Sequence, residues 1–150
     1  MSEQAGLHIS STDGEILDLL GMPSRIIVPS AETDGAWFLF EQTVPPGQGV
    51  PPHVHSREDE IFFIEEGSVS FLVGEEKVSA VAGDVIHAPR DIPHGYEATG
   101  DSPAKIRFMV FPGKLEAMFV EMSEWPSGEE PDLAKLGKLC SRYGIQFLKT

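Results

Sequence analysis

The sequence predicts an all-β fold, a sandwich or barrel, followed by a short helical segment. Short apolar runs recur at intervals of about ten residues between about Glu15 and Phe111, separated by turn residues such as Gly, Pro and Asp. After Pro112 and Gly113 the apolar residues take the spacing of a helix face. With 150 residues, 41% of them hydrophobic, the chain has the size and apolar content of one domain. We therefore expect a single domain over residues 1–150, with the barrel at about 15–111 and the helical segment at about 113–150.

Each apolar run that is bounded by turn residues is a candidate strand. The predicted strands are Glu15 to Leu20, Ser24 to Val28, Ala36 to Val44, His53 to His55, Glu60 to Glu66, Ser68 to Gly74, Lys77 to Ala80, Asp84 to Ala88, His94 to Ala98 and Ala104 to Phe111. Aromatic residues in such short strands usually form the core rather than a ligand surface. Most of the following are therefore expected in the core: Phe38, Phe40, Phe62, Phe63, Phe71, Phe108 and Phe111.

Two short helices are predicted after the barrel. The first carries apolar residues at intervals of three and four, and it should end before Pro126. This stripe consists of Leu115, Met118, Phe119 and Met122. The second helix should begin at Pro131 and Asp132, end before Gly144 and precede a last strand from Ile145 to Leu148. Because such short helices are marginal alone, we expect both to pack on the barrel, where the stripe either lines an entrance or seals the interior.

The charge balance argues against several classes of partner. The chain has 11 lysines and arginines against 24 aspartates and glutamates, a formal net charge of -13 that repels nucleic-acid phosphates and anionic lipid surfaces. No apolar stretch approaches the roughly 20 residues of a spanning helix, and the N-terminus has no signal pattern. The single Cys140 cannot form an internal disulfide, which is typical of a reducing compartment. We expect a cytoplasmic protein without nucleic-acid or membrane partners, in which Cys140 is a buried structural thiol.

Three histidines and a glutamate form the most informative pattern in the chain. His53 and His55 are two residues apart and share one face of a strand. Glu60 follows at an odd offset, so the polar run 56–59 must turn the chain before the next strand returns the carboxylate to the same place. His94 lies where it could complete the set. The predicted metal ligands are therefore His53, His55, Glu60 and His94.

The predicted ligand set limits the metal but does not select it. Three imidazoles and one carboxylate suit Fe(II), Mn(II), Co(II), Ni(II) or Zn(II). Three or four protein ligands leave positions open for water, dioxygen or substrate, which distinguishes a catalytic from a structural site. Each ligating histidine should donate its other ring nitrogen to an acceptor that the sequence does not identify.

Two further groups of residues receive an interpretation from the sequence. His87, on the strand before Pro89, is expected to line the pocket or to support the ligands rather than to bind the metal. Acidic residues such as Glu58, Asp59, Glu65 and Glu66 are expected to form a solvated surface. His8 is expected to be a solvated residue as well.

The metal-ligand pattern resembles the two-part signature of the cupin superfamily. The first part is G-x5-H-x-H-x4-E-x6-G, and all five positions agree, at Gly47, His53, His55, Glu60 and Gly67. The second part is G-x5-P-x-G-x2-H-x3-N, which is met at Gly83, Pro89 and His94. Asp91 replaces its second glycine and can adopt the left-handed backbone of a turn, while Ala98 replaces the asparagine and lacks its hydrogen-bonding group. The run 51–60 resembles the quercetin 2,3-dioxygenase-like group of small bacterial cupins.

The resemblance implies a double-stranded β-helix, or jelly-roll, barrel that holds one divalent transition metal. It also implies a dioxygenase of small aromatic or enolisable hydroxyl compounds, with dioxygen as the second substrate and a homodimeric assembly. In this hypothesis His53, His55 and His94 hold the metal, and Glu60 is both a ligand and the general base. Two alternatives share the motif: a non-redox cyclase, isomerase or hydrolase, and a barrel that only binds a small molecule.

Overall fold

The chain folds into two antiparallel β-sheets that face each other, and the computed structural model describes residues 5–126, 130 and 132–149. The strands within these residues are β1 (Ile16–Leu19), β2 (Met22–Val28), β3 (Phe38–Val44), β4 (Gly49–His55), β5 (Asp59–Glu66), β6 (Ser68–Val73), β7 (Glu76–Val81), β8 (Val85–Ala88), β9 (His94–Thr99), β10 (Ala104–Phe111) and β11 (Ile145–Phe147). The first sheet has the order β1-β2-β3-β10-β5-β8, and the second has the order β11-β4-β9-β6-β7. This is a jelly-roll sandwich, which confirms the predicted all-β class.

Every predicted strand is present, and only β4 differs by more than two residues at an end. It begins at Gly49 rather than at His53. Pro51 and Pro52 lie where the pairing of β4 with β9 shifts its register, between Val50 and His53. Proline lacks an amide proton but accepts extended backbone, so it is tolerated at such an irregularity. The sequence prediction therefore placed the start of β4 four residues too late.

Alternating side chains fill the space between the sheets. Along β3 the buried residues are Phe38, Phe40, Gln42 and Val44. Strand β10 pairs with both β3 and β5, so Phe108 lies opposite Phe40 on one side and opposite Phe62 on the other. Most of the phenylalanines expected in the core are buried, and only Phe63 and Phe111 are half-buried.

The C-terminal segment forms two helices that pack on the sandwich, as expected. A 3-10 turn at Gly113–Leu115 leads into α1 (Glu116–Ser123), and α2 (Leu133–Arg142) follows. The side chain of Asp132 caps α2 by accepting a hydrogen bond from a backbone amide of the first turn, whereas Pro131 lies outside the described residues. Helix α1 packs against β1, and α2 packs against β11. Neither described helix has the length and apolar content needed to cross a membrane.

Candidate metal centre

Three histidine side chains converge between the two sheets. His53 and His55 occupy alternate positions at the end of β4, and His94 is the first residue of β9, directly opposite His53. Residues in such directly opposed positions have neighbouring side chains, so the strand pairing brings the rings together. The ring nitrogens of the three histidines lie within 4.8 Å of one another, and all three residues are buried.

Glu60 reaches this cluster from the opposite sheet. Its strand β5 belongs to the first sheet, whereas His53, His55 and His94 lie on strands of the second. The segment 56–58 therefore crosses from one sheet to the other. Because of this crossing, Glu60 faces the histidines although it lies five residues after His55. The Oε2 atom of Glu60 lies 2.7 Å from Nε2 of His94 and 3.6 Å from Nε2 of His55. The structure thus brings together all four side chains of the predicted ligand set.

Two of the histidine rings are held by hydrogen bonds at Nδ1, on the side away from the cluster. Nδ1 of His53 donates to the Pro51 carbonyl oxygen at 2.8 Å, and Nδ1 of His55 donates to Oε1 of Glu58 at 3.1 Å. Since a carbonyl oxygen and a carboxylate only accept, these bonds place the ring proton on Nδ1 and leave Nε2 free as a metal ligand. Nδ1 of His94 has no hydrogen-bond partner among the described residues, so the expectation of a second acceptor is met by protein atoms for His53 and His55.

Glu58 is the functional residue that the sequence analysis missed. It was grouped with a solvated acidic surface, but its side chain is only 3% exposed and contacts His55. The prediction was wrong because the polar run 56–59 bends between the sheets and directs this carboxylate inward. Its position three residues after a predicted ligand was the available signal, because ligating histidines commonly bind a carboxylate through their second nitrogen.

The donor atoms of the cluster fit a divalent cation. Glu60 Oε2 and His94 Nε2 are both buried, and neither has a hydrogen-bond partner among the described residues despite their short separation. Buried polar atoms are rarely left unpaired in proteins, and a cation bound between these two atoms would satisfy both. His53 and His55 contribute the nitrogen atoms that complete a set of three imidazoles and one carboxylate.

Burial and mutual contact set the charges of the cluster. Burial, reinforced by the His94 and His55 rings, lowers the pKa of His53 to about 3, so this imidazole is neutral and able to bind a metal. Burial alone would raise the pKa of Glu60, but the adjacent His55 and His94 rings outweigh it and lower that pKa to about 2. Burial also disfavours a charged His55, yet the carboxylates of Glu60 and Glu58 raise its pKa overall.

The cluster forms one part of the wall of a cavity of about 120 Å³. Apart from the cluster and three other polar or thiol side chains, namely Gln42, Tyr96 and Cys140, the side chains of the wall are apolar. Met118, Phe119 and Met122 of the predicted stripe line this cavity, and Leu115 is buried. The stripe therefore faces the interior of the barrel. Cys140 is buried, as expected, and burial raises the pKa of its thiol to about 11.

The remaining residues singled out in the sequence have clear positions. Asp91 adopts a left-handed backbone with φ 67°, as expected for a residue replacing glycine, and its amide donates to the carbonyl oxygen of His55. Ala98 is buried two inward-facing positions beyond His94, away from the cluster. His87 is exposed on β8 opposite Ile61, so the expectation that it lines the pocket is wrong. In this strand it is the next residue, Ala88, that faces the interior, opposite Glu60.

Comparison with known proteins agrees with this architecture. Residues 40–111 match the family model described as a cupin domain. Quercetin 2,3-dioxygenase of Bacillus subtilis is 24% identical over 145 residues, which cover 94% of this chain and 43% of that protein. The structure of KdgF from Halomonas sp. superimposes with a TM-score of 0.65 at 19% identity, covering 73% of this chain and 97% of that one. The polyketide cyclase RemF from Streptomyces resistomycificus gives a TM-score of 0.60 at 21% identity, covering 71% and 80%.

The chain is a jelly-roll β-barrel with a cluster of buried histidines between its sheets, and its fold matches those of the solved structures. Residues 40–111 are a cupin domain, on the evidence of the family model and the two-part signature. The matched regions span 43%, 59% and 62% of the length of three curated relatives, less than two thirds in each case.

Proposed function

We propose that this protein binds one divalent transition metal and catalyses the dioxygenation of a small aromatic or enolisable hydroxyl compound. The ligands in this proposal are His53, His55, His94 and Glu60. The observation that carries it is the cluster of three buried imidazoles beside a buried carboxylate oxygen that has no hydrogen-bond partner among the described residues, at the wall of a mostly apolar cavity. The similarity to quercetin 2,3-dioxygenase of Bacillus subtilis, which extends over 94% of this chain, supports the choice of reaction. The family resemblance also supports a homodimer as the assembly.

The residues of the cavity have distinct parts in this proposal. A bound metal supplies Lewis acidity that lowers the pKa of a substrate hydroxyl, and open positions for further ligands. Glu60 accepts the proton of that hydroxyl at the carboxylate oxygen that does not hold the metal, because its low pKa keeps the group ionised. Glu58 holds His55 in position through Nδ1. The apolar wall excludes water, which strengthens the electrostatic interactions of the charged groups inside.

A non-redox reaction in the same site is the second candidate. The fold is shared with the polyketide cyclase RemF, so a barrel of this shape is compatible with a cyclisation. Such a reaction would use the same base and the same Lewis acidity but no dioxygen. A barrel that binds a small molecule without turnover is the third candidate, because a fold does not determine a reaction.

Oxygen uptake by metal-loaded protein distinguishes these candidates. The protein is stripped of metal, loaded in turn with Fe(II), Mn(II), Co(II), Ni(II) and Zn(II), and assayed with flavonols, diketones and catechols. Uptake that requires the metal would support the dioxygenase. Turnover under nitrogen with Zn(II) would support the non-redox enzyme and contradict the dioxygenase. Binding of these compounds without any turnover would support the binding barrel.

A further inference from the structure

A second polar site lies in the wall of the same cavity. The hydroxyl of Tyr96 donates a hydrogen bond to Oε1 of Gln42. Nε2 of Gln42 donates to the hydroxyl of Ser24 at 3.3 Å, and that hydroxyl donates to the Met22 carbonyl oxygen at 3.0 Å. Gln42 and Ser24 are buried, and the ring of Tyr96 stacks on Phe71 with their centroids 5.4 Å apart. The side chains of Tyr96 and Gln42 are therefore fixed in position by their contacts with each other, with Ser24 and with Phe71.

Strand register places this pair further along the barrel strands than the histidine cluster. Tyr96 follows His94 by two residues on β9, so it lies on the same inward face, about 7 Å further along. In the opposite sheet the inward positions of β5 run from Glu60 through Phe62 to Ile64. Ile64 lies level with Gln42, because both are paired with the same residue of β10.

An apolar belt separates the two polar sites. Phe62 and Phe108 are paired across β5 and β10, and both line the cavity between the levels of Glu60 and Gln42. The cavity thus presents the histidine cluster, then two aromatic rings, then the Tyr96 and Gln42 pair. A flat molecule that contacts both polar sites would lie against these rings.

The Tyr96 and Gln42 pair retains hydrogen-bonding capacity towards the cavity. A glutamine amide has two N–H donors, of which Ser24 accepts one, and the phenolic oxygen of Tyr96 can accept while it donates to Gln42. Among the described residues neither of these remaining positions is filled. Replacing a buried polar pair by apolar groups of the same shape is often neutral for folding, so the fold itself gives little reason to keep polar groups here.

From this arrangement we infer that Tyr96 and Gln42 anchor the substrate at its end remote from the metal. The inference rests on the proposed function and deepens it by naming the substrate class. The substrate is a planar, single-ring compound with a metal-binding hydroxyl on one side and a second hydroxyl or carbonyl oxygen across the ring. The cavity volume of about 120 Å³ limits the substrate to a single ring, because a dry cavity of about 150 Å³ holds one benzene molecule.

Two hydroxypyranones that differ in one oxygen atom test this inference. Kojic acid carries a hydroxymethyl group across the ring from its chelating oxygens, and allomaltol carries a methyl group in its place. Both are titrated into Co(II)-loaded protein while the visible absorption of the cobalt is followed. The wild type should bind kojic acid about tenfold more tightly, because a second hydrogen bond forms at Tyr96 and Gln42.

Single substitutions test whether Tyr96 and Gln42 cause the difference in affinity between kojic acid and allomaltol. Tyr96→Phe and Gln42→Leu should each reduce the affinity ratio to near one, while Tyr143→Phe, which removes the chain's other phenol outside the cavity, should retain the ratio. Equal affinities in the wild type, a ratio that persists in both cavity variants, or loaded protein that binds neither compound would overturn the inference alone. Failure to take up Co(II) before any probe is added would instead overturn the proposed function, and the inference with it.

Discussion

At the scale of single residues, two carboxylates on either side of one histidine ring have different tasks. Glu58 accepts the Nδ1 proton of His55, while Glu60 faces Nε2 of the same ring and Nε2 of His94. The division follows from backbone position, because Glu58 lies in the crossing between sheets and Glu60 lies on an inward position of β5. One carboxylate therefore orients the ring, and the other remains available for a metal and a proton.

The assignment of Glu60 as general base predicts a separation of metal binding from activity. Glu60→Gln keeps the size and one oxygen donor of the side chain, so the variant should retain most of its bound metal. It should lose at least about 100-fold in turnover, because an amide cannot accept the substrate proton. Metal content by elemental analysis and oxygen uptake measure the two properties. Glu65→Gln, on the exposed face of the same strand, is the matched control. A fully active Glu60→Gln variant would contradict the assignment.

The contact between Glu58 and His55 predicts a defect in metal affinity. In Glu58→Gln the neutral amide is a weaker acceptor for the Nδ1 proton, so the His55 ring is less basic and less firmly oriented. We expect metal affinity to fall by about tenfold or more, measured by competition with a chromophoric chelator. The exposed Glu75→Gln should bind metal like the wild type. Unchanged affinity in the Glu58 variant would show that the contact does not support the ligand.

The convergence of the four side chains proposed as ligands could be predicted from the sequence, whereas the residue that supports His55 could not. The spacing of His53, His55 and Glu60 is a local property of one turn between two strands, and it predicts that their side chains meet at one point. Glu58 lies in the same stretch, but its direction depends on how the chain crosses between sheets, which local spacing does not determine. The prediction for His87 was wrong for a similar reason. Adjacent residues of a strand face opposite sides of the sheet, and on the edge strand β8 His87 faces solvent while Ala88 faces the interior.

At the scale of strands, the cluster depends on a close approach of β4 and β9. A methyl group on Gly49 would lie 1.9 Å from the Tyr96 carbonyl oxygen, a distance that no side chain can adopt. Glycine at this position therefore allows two strands to approach each other, and those strands carry His53, His55 and His94. The strands themselves, by contrast, could be predicted from the sequence, because turn residues bound each apolar run. The division of the strands between two sheets depends on contacts far apart in sequence.

A pair of glycine substitutions tests this close approach. Gly49→Ala should lower the free energy of unfolding by about 2 kcal/mol or more, because the two strands must separate. Gly137→Ala adds the same methyl group within α2, where nothing lies within 4 Å, and should raise that free energy by up to about 1 kcal/mol. Urea denaturation followed by circular dichroism measures both. Equal effects of the two substitutions would contradict the account of the β4 and β9 contact.

At the scale of the whole molecule, the C-terminal segment completes the site. Strand β11 pairs with β4 so that Ile145 lies opposite His55 and Phe147 lies opposite His53. Helix α1 lines the cavity with Met118, Phe119 and Met122. The sequence predicted both helices, their packing on the barrel and the last strand, but the pairing of that strand with β4 depends on the tertiary fold. The net charge of -13 adds a long-range field that attracts cations towards the protein.

The number of divalent ions bound per chain tests the central claim most directly. Protein freed of metal with a chelator is titrated with Co(II), and binding is followed by calorimetry. The account predicts one ion per chain in the wild type and in His87→Ala, whose altered histidine is exposed on the outer face of β8, and loss of that binding in His53→Ala and His94→Ala. A protein that binds no divalent ion, or variants of His53 and His94 that bind it as tightly as the wild type, would contradict the account.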